Sequence, residues 1–111
     1  MKPYTILIIL IIAILHQLNA GEATYYSGEL TGRHMANTDP YDPTGYTCAS
    51  WDYDLGTVLC VRHQDKAVLV TVTDRHDYKT DIDLSWVAFC DLIGDWSGEG
   101  RIHVKITEVK D

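Results

Sequence analysis

Basic residues are scarce in this chain. Nine lysines and arginines stand against sixteen aspartates and glutamates, a formal net charge of −7 over 111 residues. No basic cluster occurs along the sequence, so neither nucleic-acid phosphate nor anionic lipid meets the neutralising charge that its binding requires. Nucleic acid is therefore not an expected partner. Cysteine is also sparse, and the spacing of Cys48, Cys60 and Cys90 fits no zinc motif. The acidic stretches "DRHDYKTDID" and "NTDPYDPTG" lack the ligand order, central glycine and closing glutamate of a calcium loop. No metal and no cofactor is expected. Internal repeats and low-complexity tracts are absent, and nothing after residue 20 marks a domain boundary.

One apolar run is present. Lys2 is followed by "ILIILIIAIL" (6–15) and then by "HQLNA", which ends at Ala20. A basic start, an apolar core of about ten residues and a small residue at the end form the pattern of a secretory signal peptide. The run falls short of the about 20 residues that span a bilayer, and no cysteine follows it to carry a lipid. Residues 1–20 are expected to be a signal peptide and 21–111 the mature domain, secreted or periplasmic, monomeric and without stable membrane association after cleavage. The mature 91 residues keep 8 basic and 16 acidic groups, a net charge of −8. A domain of this size buries only about 60% of its unfolded surface and is marginal without help. In an oxidising compartment three cysteines allow one disulfide and leave one thiol over, with the pair undecided.

The mature segment reads as mostly β. "EATYY" (22–26), "TVLCV" (57–61), "KAVLVTVT" (66–73) and "RIHVKITEV" (101–109) are predicted strands. The last alternates cleanly, with Ile102, Val104 and Ile106 on one face. Ser85 starts a helix in which Val87, Ala88, Asp91 and Leu92 recur at helical spacing, and Gly94 stops it. Residues 27–56 are irregular, with "TDPYDPTG" as two successive turns. Such a chain is small enough to close as a barrel.

Four aspartates follow the valine-rich strand. If its period of two continues, Asp74 shares a face with Val68, Val70 and Val72 and sits at the rim of the core. Partial desolvation raises a carboxyl pKa and suits a general acid, although adjacent Arg75 pulls the other way. Asp83 precedes Leu84 and Ser85, where a carboxylate favours the helix N-terminus. Asp77 and Asp81 read as solvated loop residues. His63 and His103 look bland, and His34 lies with Arg33 in the long loop. Tyr25, Tyr26, Tyr41, Tyr46, Trp51, Tyr53 and Tyr78 fall in or beside the loops expected around Asp74. Their flat apolar faces and polar edges suit sugar rings, or else plug the barrel. Trp86 and Phe89 fall on the helix as packing residues.

Six fragments in order, "ATYYSG", "MANTDPYDPTGYTCAS", "LGTVLCV", "VLVTVTDR", "DIDLSWVAF" and "GRIHVKITEV", resemble rare lipoprotein A-like domains across residues 22–109. The resemblance implies a six-stranded double-psi β-barrel with one or two short helices, related to septal lytic transglycosylases, expansins and family-45 glycosidase barrels. It implies action on peptidoglycan glycan strands by lytic transglycosylase-type cleavage, with Asp74, matching the aspartate of a "DRGP" motif, as general acid/base. The family histidine of a "TAAH" motif is Ser50 here, and His76 and Asp77 replace Gly and Pro. A serine hydroxyl does not replace imidazole as acid or base, so Asp74 acts alone, His76 or His34 supplies the missing group, or cleavage is lost. In the last case the implied function is an expansin-like module that binds and loosens polysaccharide. The resemblance places Thr24 and Asp83 in the same groove, and Tyr26, Asn37, Trp51 and Tyr78 are the further substrate-binding candidates.

Overall fold

The computed structural model describes residues 2–7, 20–76, 79–94 and 98–110. Most of the expected signal segment, Asp77 and Tyr78 lie outside the described residues. Six strands form a closed barrel: β1 (Ala20–Tyr25), β2 (Thr47–Ala49), β3 (Val58–His63), β4 (Lys66–Asp74), β5 (Ile82–Leu84) and β6 (Ile102–Glu108). Their order around the barrel is β1-β5-β2-β4-β3-β6. The β1/β5 and β2/β4 pairs are parallel, and the other four contacts are antiparallel. The fold class is the double-psi barrel that the sequence leads one to expect. Helix α1 (Trp86–Ile93) and a single 3-10 turn (Gly28–Leu30) are the short helices of the domain. Among the described residues no helix is long and apolar enough to cross a membrane.

Period-two patterning builds the barrel wall. Ile102, Val104 and Ile106 of β6 point inward, and Val68, Val70 and Val72 of β4 meet them with Leu59 and Val61 of β3. The β3–β4 hairpin closes through Gln64 and Asp65, with Gln64 in the left-handed region at φ 55°. Helix α1 presents Ala88, Phe89 and Leu92 to this core. Ser85 is its N-cap residue by position, but its hydroxyl accepts the Thr47 amide at 3.4 Å instead of a helix amide. Gly94, at φ 70°, ends the helix with its N–H on the Cys90 carbonyl.

Asp83 departs from the expected helix cap. It belongs to β5, is 2% exposed, and accepts a hydrogen bond from Thr24 Oγ1 at 2.7 Å. The parallel register that sets Thr24 beside Asp83 decides this, not the nearby helix. The expected disulfide is also absent, since Cys48, Cys60 and Cys90 are all free thiols. Cys48 on β2 and Cys60 on β3 are separated by β4. Two strand spacings put their backbones about 10 Å apart, beyond the about 7 Å that a disulfide tolerates.

Burial in the core pushes the Cys48 thiol up to about 12, with the Asp83 carboxylate adding to the effect. The unfolded thiol ionises near 9.0. Below that value both states hold the proton; above it only the unfolded chain releases it, so stability falls as pH rises from about 9 to about 12. Urea midpoints measured across this window are expected to fall, and Cys48→Ala to flatten the fall. A slope unchanged by the substitution would assign the effect to other groups. For the Thr24–Asp83 pair, Thr24→Val strips a buried carboxylate of a donor and is expected to cost about 1–3 kcal/mol in urea denaturation, with Thr24→Ser recovering most of it.

Candidate functional site

A register irregularity creates the site. Cys48 of β2 pairs with Val72, but the next residue, Ala49, pairs with Asp74, so β4 carries one extra residue at Thr73. The bulge turns the end of β4 away from the strict alternation expected for Asp74. Thr73 is buried against the Met35 sulfur, 3.2 Å from its hydroxyl, and Asp74 faces a second apolar cluster of Tyr26, Met35, Tyr41 and Ala49. Asp74 is half-buried at a rim, as expected, but the rim is that of this second cluster rather than of the valine core.

Three donors meet the Asp74 carboxylate. The Tyr26 hydroxyl donates to Oδ2 at 2.5 Å, and the Ala36 and Arg75 amides each donate to Oδ1 at 2.8 Å. Tyr26 lies just past β1, and its ring packs on Tyr41 with centroids 4.6 Å apart. Ala36 belongs to the loop 33–41. That loop folds back on itself through Tyr41 N to Arg33 O and Met35 N to Asp39 O, and it docks on β4 through Asn37 N to Thr73 O.

Around Asp74 lies a cleft of about 370 Å³, lined by Tyr26, Leu30, Arg33, His34, Met35, Tyr41, Trp51, Asp74, Arg75 and His76. Trp51 is 64% exposed, and its indole N–H donates to the His76 carbonyl. The Arg75 guanidinium lies 5.7 Å from the Trp51 ring centroid, and one of its nitrogens donates to the Ser50 and Tyr53 carbonyls. Two parallel pairings and one antiparallel pairing continue the site across the barrel end. Thr24 is beside Asp83, Asp83 beside Ala49, and Ala49 beside Asp74, one row over four strands. Thr24 also lines a neighbouring open depression with Tyr25, Ser27, Gly28 and Arg101.

The structure therefore brings together Asp74, His76, Tyr26 and Trp51 of the sequence candidates, and joins Thr24 and Asp83 to them through the row. Ser50 sits behind the cleft wall: it is 1% exposed, its hydroxyl accepts the Asp52 amide at 3.2 Å, and its own amide donates to the Asp74 carbonyl. Asn37 holds its loop through Asp39, with its side-chain oxygen accepting the Asp39 amide at 3.0 Å. Tyr25 turns to the helix, 5.0 Å from Trp86 and 4.9 Å from Phe89. Tyr46 donates to Asp91 at 2.6 Å, and Tyr53 packs on the core. His34, a candidate for the missing acid-base group, also lines the cleft, and Arg33, Arg75, Leu30 and Met35 are the cleft residues that linear reading did not single out. Their sequence separation of some forty positions hides the cluster, and only the docking of loop 33–41 on β4 reveals it. Among the described residues no three His, Cys, Asp or Glu side chains converge to hold a metal ion.

No family model matches the chain. The uncharacterized protein ssl3177 of Synechocystis is 37% identical over 92 residues, which cover 81% of this chain and 98% of that protein. Among solved structures, an expansin of Clavibacter michiganensis is 32% identical with a TM-score of 0.64, over 84% of this chain. This chain spans only 50% of that expansin's length. An aspartate-to-asparagine mutant of the same expansin, in complex with cellohexaose, aligns at 28% identity with a TM-score of 0.65. Cerato-platanin 3 from M. perniciosa, 19% identical with a TM-score of 0.61 over 82% of this chain, shares the fold. The chain belongs to the family of the Synechocystis protein ssl3177, and its barrel is the one that expansin and cerato-platanin also use.

Proposed function

We propose that this protein is an exported, expansin-like polysaccharide-binding module that holds a glycan strand in the Asp74 cleft. The observation that carries the reading is Trp51, an indole left 64% exposed at the mouth of a sugar-sized cleft with Tyr26 and Asp74 behind it. An exposed indole is a flat apolar platform for a sugar ring, and the hydroxyl and carboxylate behind it take the ring's hydrogen bonds. The expansin whose mutant holds cellohexaose supports a polysaccharide as the ligand class. Export is supported by the apolar run 6–15 behind Lys2.

One observation favours a second reading, lytic transglycosylase cleavage of peptidoglycan. Asp74 borders the cleft, and three donors occupy three of the about four lone-pair positions of a carboxylate. The remaining position, when protonated, can donate to a glycosidic oxygen. A carboxylic proton given to that oxygen breaks the bond to the anomeric carbon. The sugar's own hydroxyl then closes on that carbon, its proton returns to the carboxylate, and an anhydro end results. Ser50, buried and bound to Asp52, takes no part in such a step. The chemistry falls to Asp74 alone or with His76, which is why binding without cleavage is the leading reading.

Pull-down and calorimetry with insoluble and oligomeric glycans test the first reading. Trp51→Ala is expected to weaken binding roughly tenfold or more with the fold intact. Mass spectrometry of peptide-free glycan strands tests the second: anhydro ends that vanish in Asp74→Asn establish cleavage. Binding without such products leaves the module reading standing, and an absence of both defeats the two together.

A further inference from the structure

We infer that the cleft selects glycans that carry carboxylates over neutral ones, an inference that rests on the polysaccharide-binding reading of the same site. The chain as a whole argues for the opposite preference, with a net charge of −7 from nine basic and sixteen acidic residues. The cleft does not share that balance. Among its described lining residues, Arg33 and Arg75 stand with one carboxylate, Asp74, and with His34 and His76 beside them.

Neither arginine forms an ion pair with a carboxylate among the described residues. Asp74 accepts from Tyr26 and two backbone amides, not from a guanidinium. Arg75 is held by the uncharged carbonyls of Ser50 and Tyr53, through one of its terminal nitrogens. That arrangement fixes the group and leaves its charge uncompensated and its other N–H donors available. Arg33 is exposed and pairs with no carboxylate among the described residues. Asp39, the acid nearest to it in the loop, instead accepts from the Asn37 side chain at 3.1 Å and does not line the cleft.

Placement then sets the ligand chemistry. The Arg75 guanidinium sits 5.7 Å from the ring on which a sugar would stack. A carboxylate projecting from that sugar falls within reach of a planar, pre-positioned fork, and a carboxylate is the group such a fork binds in two parallel hydrogen bonds. Ordering Arg75 in advance spares part of the entropy lost on binding. A neutral hydroxyl in the same place leaves both guanidinium charges without a counter-charge. The acidic remainder of the surface acts weakly at this point, because charges further away than about 8 Å are largely screened at physiological salt.

Arg75 also braces Ser50 and Tyr53, so Arg33 is the residue to change. Calorimetry on the full chain would compare three oligomers: a hexamer of uronic acid, cellohexaose, and an amino-sugar oligomer whose carboxylates are lactyl ethers. At about 150 mM salt, where the acidic surface is screened, an acidic oligomer is expected to bind about tenfold more tightly than cellohexaose, and the advantage to shrink at about 1 M. Arg33→Gln is expected to weaken acidic-oligomer binding by about threefold more than cellohexaose binding, leaving the share of the preference that Arg75 supplies. Whichever acidic oligomer binds identifies the source of the carboxylate. Cellohexaose binding as tightly as both acidic oligomers, or an equal loss on all three in Arg33→Gln, overturns the charge preference and leaves the polysaccharide reading intact. No binding of any oligomer, with Trp51→Ala equally inert, overturns both.

Discussion

The hydrogen bonds on Asp74 are the constraint that the cleft depends on. The segment between β1 and β2 contains only a single 3-10 turn and one isolated bridge, His34 to Pro40, so no extended ladder ties it to the barrel. At the cleft it is fastened where Ala36 gives its amide to Asp74 and Asn37 gives its amide to Thr73, and further on where Tyr41, Pro43 and Tyr46 accept the amides of Trp86, Val87 and Thr71. A charged acceptor makes such a bond roughly twice as strong as a neutral one. The same carboxylate takes the Tyr26 hydroxyl, which positions the Tyr26–Tyr41 pair as the floor of the cleft. Asp74 thus holds the loop and the floor at once, and its chemistry at the cleft is restricted to what those duties leave over.

That double duty bears on the choice between gripping and cutting. A general acid must carry a proton and aim it at a leaving oxygen, whereas three donors on Asp74 all address it as an acceptor. A binding residue has no such conflict. Ser50 points the same way, since the position that resembles a family histidine is turned inward and used to brace Asp52. With no imidazole there, the wall behind Asp74 is a packed turn.

Much of the barrel is readable from the residues. The alternation of β6, the valines of β4 and the Ser85-to-Gly94 helix follow from local periodicity and stop signals, and each stands within a residue or two of its expected bounds. Other features depend on contacts between distant parts of the chain. β2 and β5 are three residues each, too short to show a period, and exist because long partners flank them. Asp83 looks like a helix cap on local grounds, but the parallel β1/β5 register couples it to a threonine 59 positions away. The bulge at Thr73, which redirects Asp74, has no composition signal at all, because threonine fits a regular strand equally well. The resemblance to a barrel family pointed to Asp74, which lines the cleft. It did not disclose that Arg33 and His34 would meet Arg75 and His76 across the cleft.

The way each arginine is held separates structural charge from available charge. Arg101 pairs with Glu22 on the surface, and Lys110 stands 3.8 Å from Glu108. Exposed pairs of this kind add little stability and project little field, because each charge cancels its neighbour. Arg75 is fixed by carbonyl dipoles instead, which supply hydrogen bonds without a full negative charge. The fold therefore positions a cation in a half-buried site without neutralising it, next to an aromatic platform and a carboxylate already occupied by other donors. In a chain with a net acidic balance, two arginines that bond no carboxylate among the described residues thus meet at the cleft where a sugar ring would stack.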